Sequence, residues 1–215
     1  MHREVLRRHR VHWGQWQFAL SSMLAMVFFS LASFVVFPFS TTFANSHAGA
    51  GVPDLILSNI PTFDVDGYFV YGAFLLIALI AALCIVEPRR IPFTLNSLSL
   101  LIVIRSIFVM LTHMGPPAAQ VANDFGPTIS KAFFGDDFFF SGHTAIPFLM
   151  ALVFWNHRPL RYIFLAWSVF FATVALLGHL HYSIDVFSAY FITYAVYALA
   201  LWLFPKDYDY LRAAR

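Results

Sequence analysis

His179-Leu180-His181-Tyr182-Ser183-Ile184-Asp185 opens an apolar run that continues to Leu203. Three ionisable side chains stand at the mouth of a stretch long enough to cross a bilayer, where charge is expensive and its retention points to function. Gly135-Asp136-Asp137-Phe138-Phe139-Phe140-Ser141-Gly142-His143-Thr144 has the same form and leads into a run that ends near Trp155. Working outward from this pair, six apolar segments have the character of membrane spans: Phe18–Phe37, Tyr68–Val86, Phe93–His113, Thr144–Trp155, Leu160–Leu177 and Tyr182–Leu203. A crossing takes roughly 17–25 helical residues, so the fourth is short. The composition agrees, with 60% hydrophobic, 19% aromatic and 11% charged residues, where a soluble domain carries about 25% charged. The expected fold is all-α: a polytopic membrane domain of six transmembrane helices over residues 18–204. Tails at 1–17 and 205–215 flank it.

The distribution of basic residues orients the chain. Arg3, Arg7, Arg8 and Arg10 precede the first span, and Arg89 and Arg90 lie in the second connection. Arg158 and Arg161 lie in the fourth, while Lys206, Arg212 and Arg215 follow the last span. These are eleven of the 13 Lys and Arg residues; the others are Lys131 and Arg105. The positive-inside rule then puts both termini in the cytoplasm and the two histidine stretches on the opposite side. The first span is too long for a signal peptide and is expected to remain as a helix. A compact chain of this kind suits a bacterial inner membrane. The one cysteine, Cys84, excludes an intramolecular disulfide. No nucleic-acid partner is expected at a net charge of +2.

In that topology His143 begins the fourth span, His181 and Asp185 begin the sixth, and His113 ends the third, all at one depth. Ser141 and Gly142 suit a helix entrance: a hydroxyl can cap free amides, glycine permits close backbone approach, and the helix start attracts an anion such as phosphate. Spacing of four residues puts Asp185 on the same helical face as His181, so the carboxylate can hold one ring nitrogen and turn the other to a substrate. One histidine then attacks phosphorus while the other protonates the departing oxygen. A divalent-metal set of His179, His181 and Asp185, completed by Asp137 and His143, is the rival reading. Two-residue spacing on a helix points His179 and His181 apart, against that set. Arg105, a lone charge in the middle of the third span, must meet a carboxylate, carbonyls or a ligand phosphate. Asp136 reads as loop solvation, and Trp13, Trp16, Trp155 and Trp202 as interfacial anchors.

These residues resemble a known family. The 135–144 stretch, with one extra Asp, is similar to the sphingomyelin synthase motif that ends in Phe-Ser-Gly-His-Thr. His181-Tyr182-Ser183-Ile184-Asp185-Val186, continuing through Ala189-Tyr190-Phe191-Ile192-Thr193, resembles that family's second histidine motif. Val52-Pro53-Asp54 is faintly similar to its first-loop motif, and Arg105, Thr112 and Pro116-Pro117 resemble its third-helix motif. The resemblance implies a six-helix core of the type 2 phosphatidic acid phosphatase superfamily, without a metal or other cofactor. It makes His181 the nucleophile, Asp185 its partner and His143 the acid–base residue. Asp137 falls on the synthase branch's Gly-Asp aspartate, which would tune His143; Arg105 and His113 are candidate substrate-binding residues, His113 in a region where relatives differ.

The superfamily's phosphatases carry a Ser-Arg pair six to seven residues before the second histidine, where this chain has Val174 and Ala175. Without that cationic clamp the site suits a singly charged phosphodiester better than a dianionic monoester. The expectation is a phospholipid headgroup transferase or phospholipase-C-like phosphodiesterase. Its partners would be a phospholipid donor and a ceramide-like lipid alcohol, or water. A lipid phosphate or diphosphate phosphatase and a non-catalytic lipid-binding protein are the alternatives.

Overall fold

The computed structural model describes residues 2–117 and 138–212. In chain order the helices are α1 (His2–Trp13), α2 (Trp16–Leu31), α3 (Phe37–His47), α4 (Asp66–Val86), α5 (Ile91–Leu111), α6 (Gly142–Val153), α7 (Arg158–Leu177), α8 (Ser183–Leu203) and α9 (Pro205–Arg212). The described residues are all-helical, with no strand among them. Five helical stretches are long and apolar enough to cross a membrane, Trp16–His47, Asp66–Val86, Pro88–Leu111, Arg158–Leu177 and Ser183–Leu203. The chain is a multi-pass integral membrane protein.

The expected six spans become five of full length and one short apolar helix. The 12 residues of α6 rise only about 18 Å, well under the ~30 Å hydrocarbon core. The first span is longer than expected, because Pro38 does not stop it. A five-residue π-helical segment, Ala32–Val36, joins α2 to α3 and places Pro38 in the first turn of α3. Widening the helix just before a residue without an N–H lets the chain run on to His47. Pro92 and Pro159 occupy the first turns of α5 and α7, where the missing donor is not needed.

Outward faces are apolar: Phe34, Leu75, Phe191 and Trp202 are largely exposed, which suits contact with lipid. Lipid removes most of the hydrophobic drive for helices to associate, so close packing must hold the bundle. Buried alanines (Ala25, Ala145, Ala151, Ala175, Ala189 and Ala200) let backbones approach, and Phe69, Phe93, Phe164 and Phe171 fill the space between. α5 is the central helix, with 56% of its apolar window buried against 17–33% for the other spans. It packs on α2, α3, α6 and α8, and α6 packs on α7 and α8. Both tails are helical and fastened. Arg8 of α1 pairs with Glu87 at 3.0 Å, and Asp207 of α9 accepts from Asn96 at 2.7 Å and from the Ser21 hydroxyl.

Candidate active site

The site begins where α7 ends. The N–H groups of His179 and Leu180 donate to the carbonyls of Leu176 (3.1 Å) and Ala175 (2.9 Å), the double closure of a Schellman turn. His179 takes the left-handed position of that turn, at φ 51°, where glycine is usual. Its place in the motif is thus that of a helix stop. Beyond it the chain reverses, and α8 starts at Ser183.

His181 and Asp185 meet, though not as two residues on one helical face. His181 precedes the helix, and Asp185, in the first turn of α8, reaches back over the helix entrance. Its Oδ2 accepts from His181 Nδ1 at 3.3 Å and from the Tyr182 N–H at 3.1 Å, the latter being half of a capping box. A carboxylate can only accept, so Nδ1 carries the proton and the Nε2 lone pair of a neutral His181 is left for chemistry. Asp185 is fully buried, and its Oδ1 has no hydrogen-bond partner among the described residues. Its charge is therefore concentrated on the imidazole and the helix start.

The first histidine stretch is tied to this one through the backbone: the Ser141 N–H donates to the Asp185 carbonyl at 3.1 Å. Ser141 caps α6, its hydroxyl oxygen accepting from the Thr144 N–H at 3.4 Å. α5 fixes the strand of chain that leads in. Arg105 Nε donates to the Phe140 carbonyl at 2.8 Å, and the Thr112 hydroxyl to the Phe138 carbonyl at 3.2 Å. Of the partners expected for Arg105, the structure supplies a carbonyl. Gly142 makes the approach possible, since a Cβ there would lie 3.3 Å from Arg105 Nε. The His143 ring lies against Phe69, with centroids 3.8 Å apart, and meets Phe171 edge-on at 5.5 Å. These contacts restrict the imidazole's orientation.

Arg105, Gly142, His143 and His181 converge on one cavity of about 250 Å³. The remaining walls are apolar, from Phe37 of α3, Ala73 and Leu76 of α4, Leu101 of α5 and Ile146 of α6. A cationic, imidazole-lined end thus passes into a hydrophobic throat between spans. Val174 and Ala175 are buried apolar side chains.

Other expected residues fall elsewhere. Asp137 and Asp136 lie outside the described residues. His113 does not line the cavity; it stacks on His47, with centroids 5.5 Å apart, and tilts against Phe43. Among the described residues no three His, Cys, Asp or Glu side chains gather into a metal-ligand set.

Two supporting residues had not been given roles. Asp54, in the connection after α3, places Oδ2 2.8 Å from both the N–H and the hydroxyl of Ser183. Its Oδ1 accepts from the N–H groups of Ile56 (2.8 Å) and Leu57 (3.1 Å). Burial pushes this carboxyl up, and the hydrogen bonds from Leu57, Ser183 and Ile56 outweigh it, leaving Asp54 below the usual carboxylate range. It satisfies the first orphan amide of α8 and fixes the height at which Asp185 stands. The Tyr182 hydroxyl donates to the Gly115 carbonyl (2.9 Å) and accepts from the Val52 N–H (3.1 Å), stitching three connections together. The only sign of Asp54 in the sequence is its place in Val52-Pro53-Asp54.

Fold and site define a class: a helical membrane protein with two histidines and a buried carboxylate gathered at one end of its bundle. Residues 136–202 match the PAP2 superfamily C-terminal family model. The chain is also 23% identical over 210 residues to sphingomyelin synthase-related protein 1 of Homo sapiens, covering 83% of this chain and 50% of that protein. The Mus musculus protein of the same name is likewise 23% identical over 210 residues, covering 83% of this chain and 43% of that one. The chain spans about half the length of these curated relatives. These matches support a sphingomyelin synthase-like assignment within the PAP2 superfamily.

Proposed function

We propose that this chain transfers a phospho-headgroup from a phospholipid diester to a lipid alcohol or to water, through a phosphohistidine at His181. The similarity to the PAP2 superfamily C-terminal model and to sphingomyelin synthase-related protein 1 supports the coarser reading, a lipid phosphatase- or transferase-type function. The observation that carries the finer one is the single cavity shared by His143, His181 and Arg105, with Asp185 holding His181 Nδ1.

The Nε2 lone pair of His181 attacks phosphorus. The bond from phosphorus to the diacylglycerol oxygen breaks, and His143, as imidazolium, protonates that oxygen. Asp185 stabilises the positive charge that develops on His181. Arg105 lies beside the phosphoryl oxygens and balances one negative charge. In the second half-reaction neutral His143 takes the proton of the acceptor hydroxyl, whose oxygen attacks phosphorus and releases His181. Protons and charge return to their starting places. Asp137, as the residue before Phe138, is assigned to tuning His143.

At about 250 Å³ the cavity is smaller than the ~300–1,000 Å³ of sites that enclose drug-sized ligands. It suits a headgroup whose acyl chains stay in the bilayer, and its apolar throat supports sideways admission of both lipids. Buried Val174 and Ala175, where a cationic clamp would stand, favour diesters over monoesters. The Lys- and Arg-rich end supports a cytoplasmic placing for both termini and a site on the far face.

The test is diacylglycerol release by purified protein from phosphatidylcholine and phosphatidylethanolamine, with phosphatidate alongside. His181→Ala is expected to lower diester turnover by about 10³-fold or more. Undiminished turnover in that variant, or preference for phosphatidate, contradicts the reading.

A further inference from the structure

Phe18, Ser22, Ala25 and Ala32 are buried along the first span at the spacing of one helical face, and the next buried residues are Ser40, Thr41 and Ala44. The two sets do not share one continuous helical repeat. A regular α-helix would turn Phe37 about 140° away from Ala32. The π-helical segment removes most of that turn. The Phe37 N–H donates to the Ala32 carbonyl, five residues back, which brings Phe37 round to the face of Ala32. The Ser40 hydroxyl then lies 3.0 Å from that of Ser106 on α5, while Phe39 is left 64% exposed. One extra residue in a helical turn thus carries Phe37 into the wall of the cavity that His143 and His181 share.

The same wall takes Ala73, Leu76 and Ile77 from α4 and Ile102 from α5. Ala73 and Leu76 are buried, whereas Ile77 is 58% exposed, so the cavity reaches the lipid-facing surface at Ile77. α3 and the π-helical segment pack on α5, while α4 packs on α7 and on the Pro88–Arg90 turn. The opening therefore lies between the first span and α4, with Phe37 on one side and Ile77 on the other. Ile77 and Ile102 each stand next to the midpoint of a 21-residue helix. Helices of that length cross the ~30 Å hydrocarbon core, so the opening is at the depth of acyl chains. His143 and His181 stand instead at helix starts.

We infer that this cavity is a slot for one hydrocarbon chain of the phospholipid whose headgroup reacts, and that Phe37 decides which chains fit. The chain passes from the histidine end to the bilayer between Phe37 and Ile77. The inference rests on the transfer reading of the histidine site and adds the part of the lipid that the site grips. Imidazoles at one end and aliphatic walls leading to mid-bilayer match an amphiphile lying along the bundle. A headgroup cannot use the opening, because charge is costly at that depth. A hydrocarbon chain meets walls as apolar as the lipid it leaves, so shape alone decides its fit. The Ser40 and Thr41 hydroxyls donate to the Phe37 carbonyl at 2.8 and 3.0 Å, steadying the backbone from which the ring projects.

The first test places full-length protein in phosphatidylcholine nanodiscs with a trace of phosphatidylcholine bearing a mid-chain diazirine, and maps the photoadducts by mass spectrometry. Phe37, Ile77 and Ile102 are expected to carry about tenfold more label than Leu75 and Phe191, which face lipid outside the cavity. Label spread evenly over exposed residues would overturn the slot. This readout needs no turnover: label in the slot without diacylglycerol release would overturn the transfer reading and support the chain site. The second test compares kcat/KM for diphytanoyl and dioleoyl phosphatidylcholine in one preparation, a ratio independent of how much protein has folded. Phe37→Ala is expected to raise the branched-to-straight ratio about tenfold, and the milder Phe37→Leu about threefold. Phe39→Ala, at the exposed neighbour, should keep it within about twofold. An unchanged ratio in Phe37→Ala, or an equal rise in Phe39→Ala, would overturn Phe37 as the limit on chain shape.

Discussion

The two ends of this bundle handle charge in opposite ways. At the histidine end each charged group has a partner chosen from the protein. Asp185 serves His181 and the Tyr182 amide, Asp54 serves Ser183, and Arg105 serves the Phe140 carbonyl. At the arginine end Glu87 is shared by Arg8 and Arg89, while Arg90 and Arg212 lie over the Phe154 and Tyr208 rings around a wider cavity. The difference teaches that one end is organised around a single buried carboxylate and the other around arginines laid on aromatic rings.

That contrast can be broken at the histidine end most severely. Asp185→Asn removes the charge that stabilises a cationic His181 and can leave Nδ1 without its acceptor. A loss of about 10³–10⁴-fold in turnover, with little change in lipid binding, is expected from diacylglycerol release. A loss below tenfold would make Asp185 only a helix cap. Arg105→Lys keeps a charge but not the planar fork that reaches the Phe140 carbonyl from α5. It is expected to lower turnover by about 10–10²-fold, and an unchanged rate would show that the guanidinium does no more than hold the chain.

The smallest effect is expected at Asp54, which acts on the site through Ser183. Asp54→Asn should lower the melting temperature by a few degrees, roughly 1–2 kcal/mol, at neutral pH. The folded protein depresses the Asp54 carboxyl, so its contribution is present above the unfolded value near ~4 and is lost as pH falls through the folded one. The gap between wild type and Asp54→Asn in a melting series should therefore close below about pH 4. A gap that persists there would show that the loss is one of packing.

Much of this was legible in the chain. Apolar runs of membrane length announced an all-helical membrane protein, and two histidine stretches at the mouths of such runs marked out the candidate site, because lipid makes unpaired charge so costly. Arg105 had to find a partner, and it found a carbonyl. Other features depended on contacts that local sequence does not encode. Asp54 reaches Ser183 across 129 residues, and nothing near either residue specifies the other. His179 entered only the rival metal set, which its two-residue spacing from His181 argued against, and it occupies a turn position for which glycine is the ordinary signal. Pro38 looked like the end of a span, and a π-helical segment five residues long carried the helix past it. His113 shares its neighbourhood with the third-helix motif but packs on His47.

The central claim is a covalent bond between His181 and the headgroup phosphate. The direct measurement is to quench the protein after brief incubation with phosphatidylcholine labelled at phosphorus, then map any acid-labile, base-stable label by mass spectrometry. The account predicts label on His181, absent in His181→Ala and cleared when a lipid alcohol acceptor is added. Equal labelling in His181→Ala, or diacylglycerol release with His181 never labelled, would contradict it.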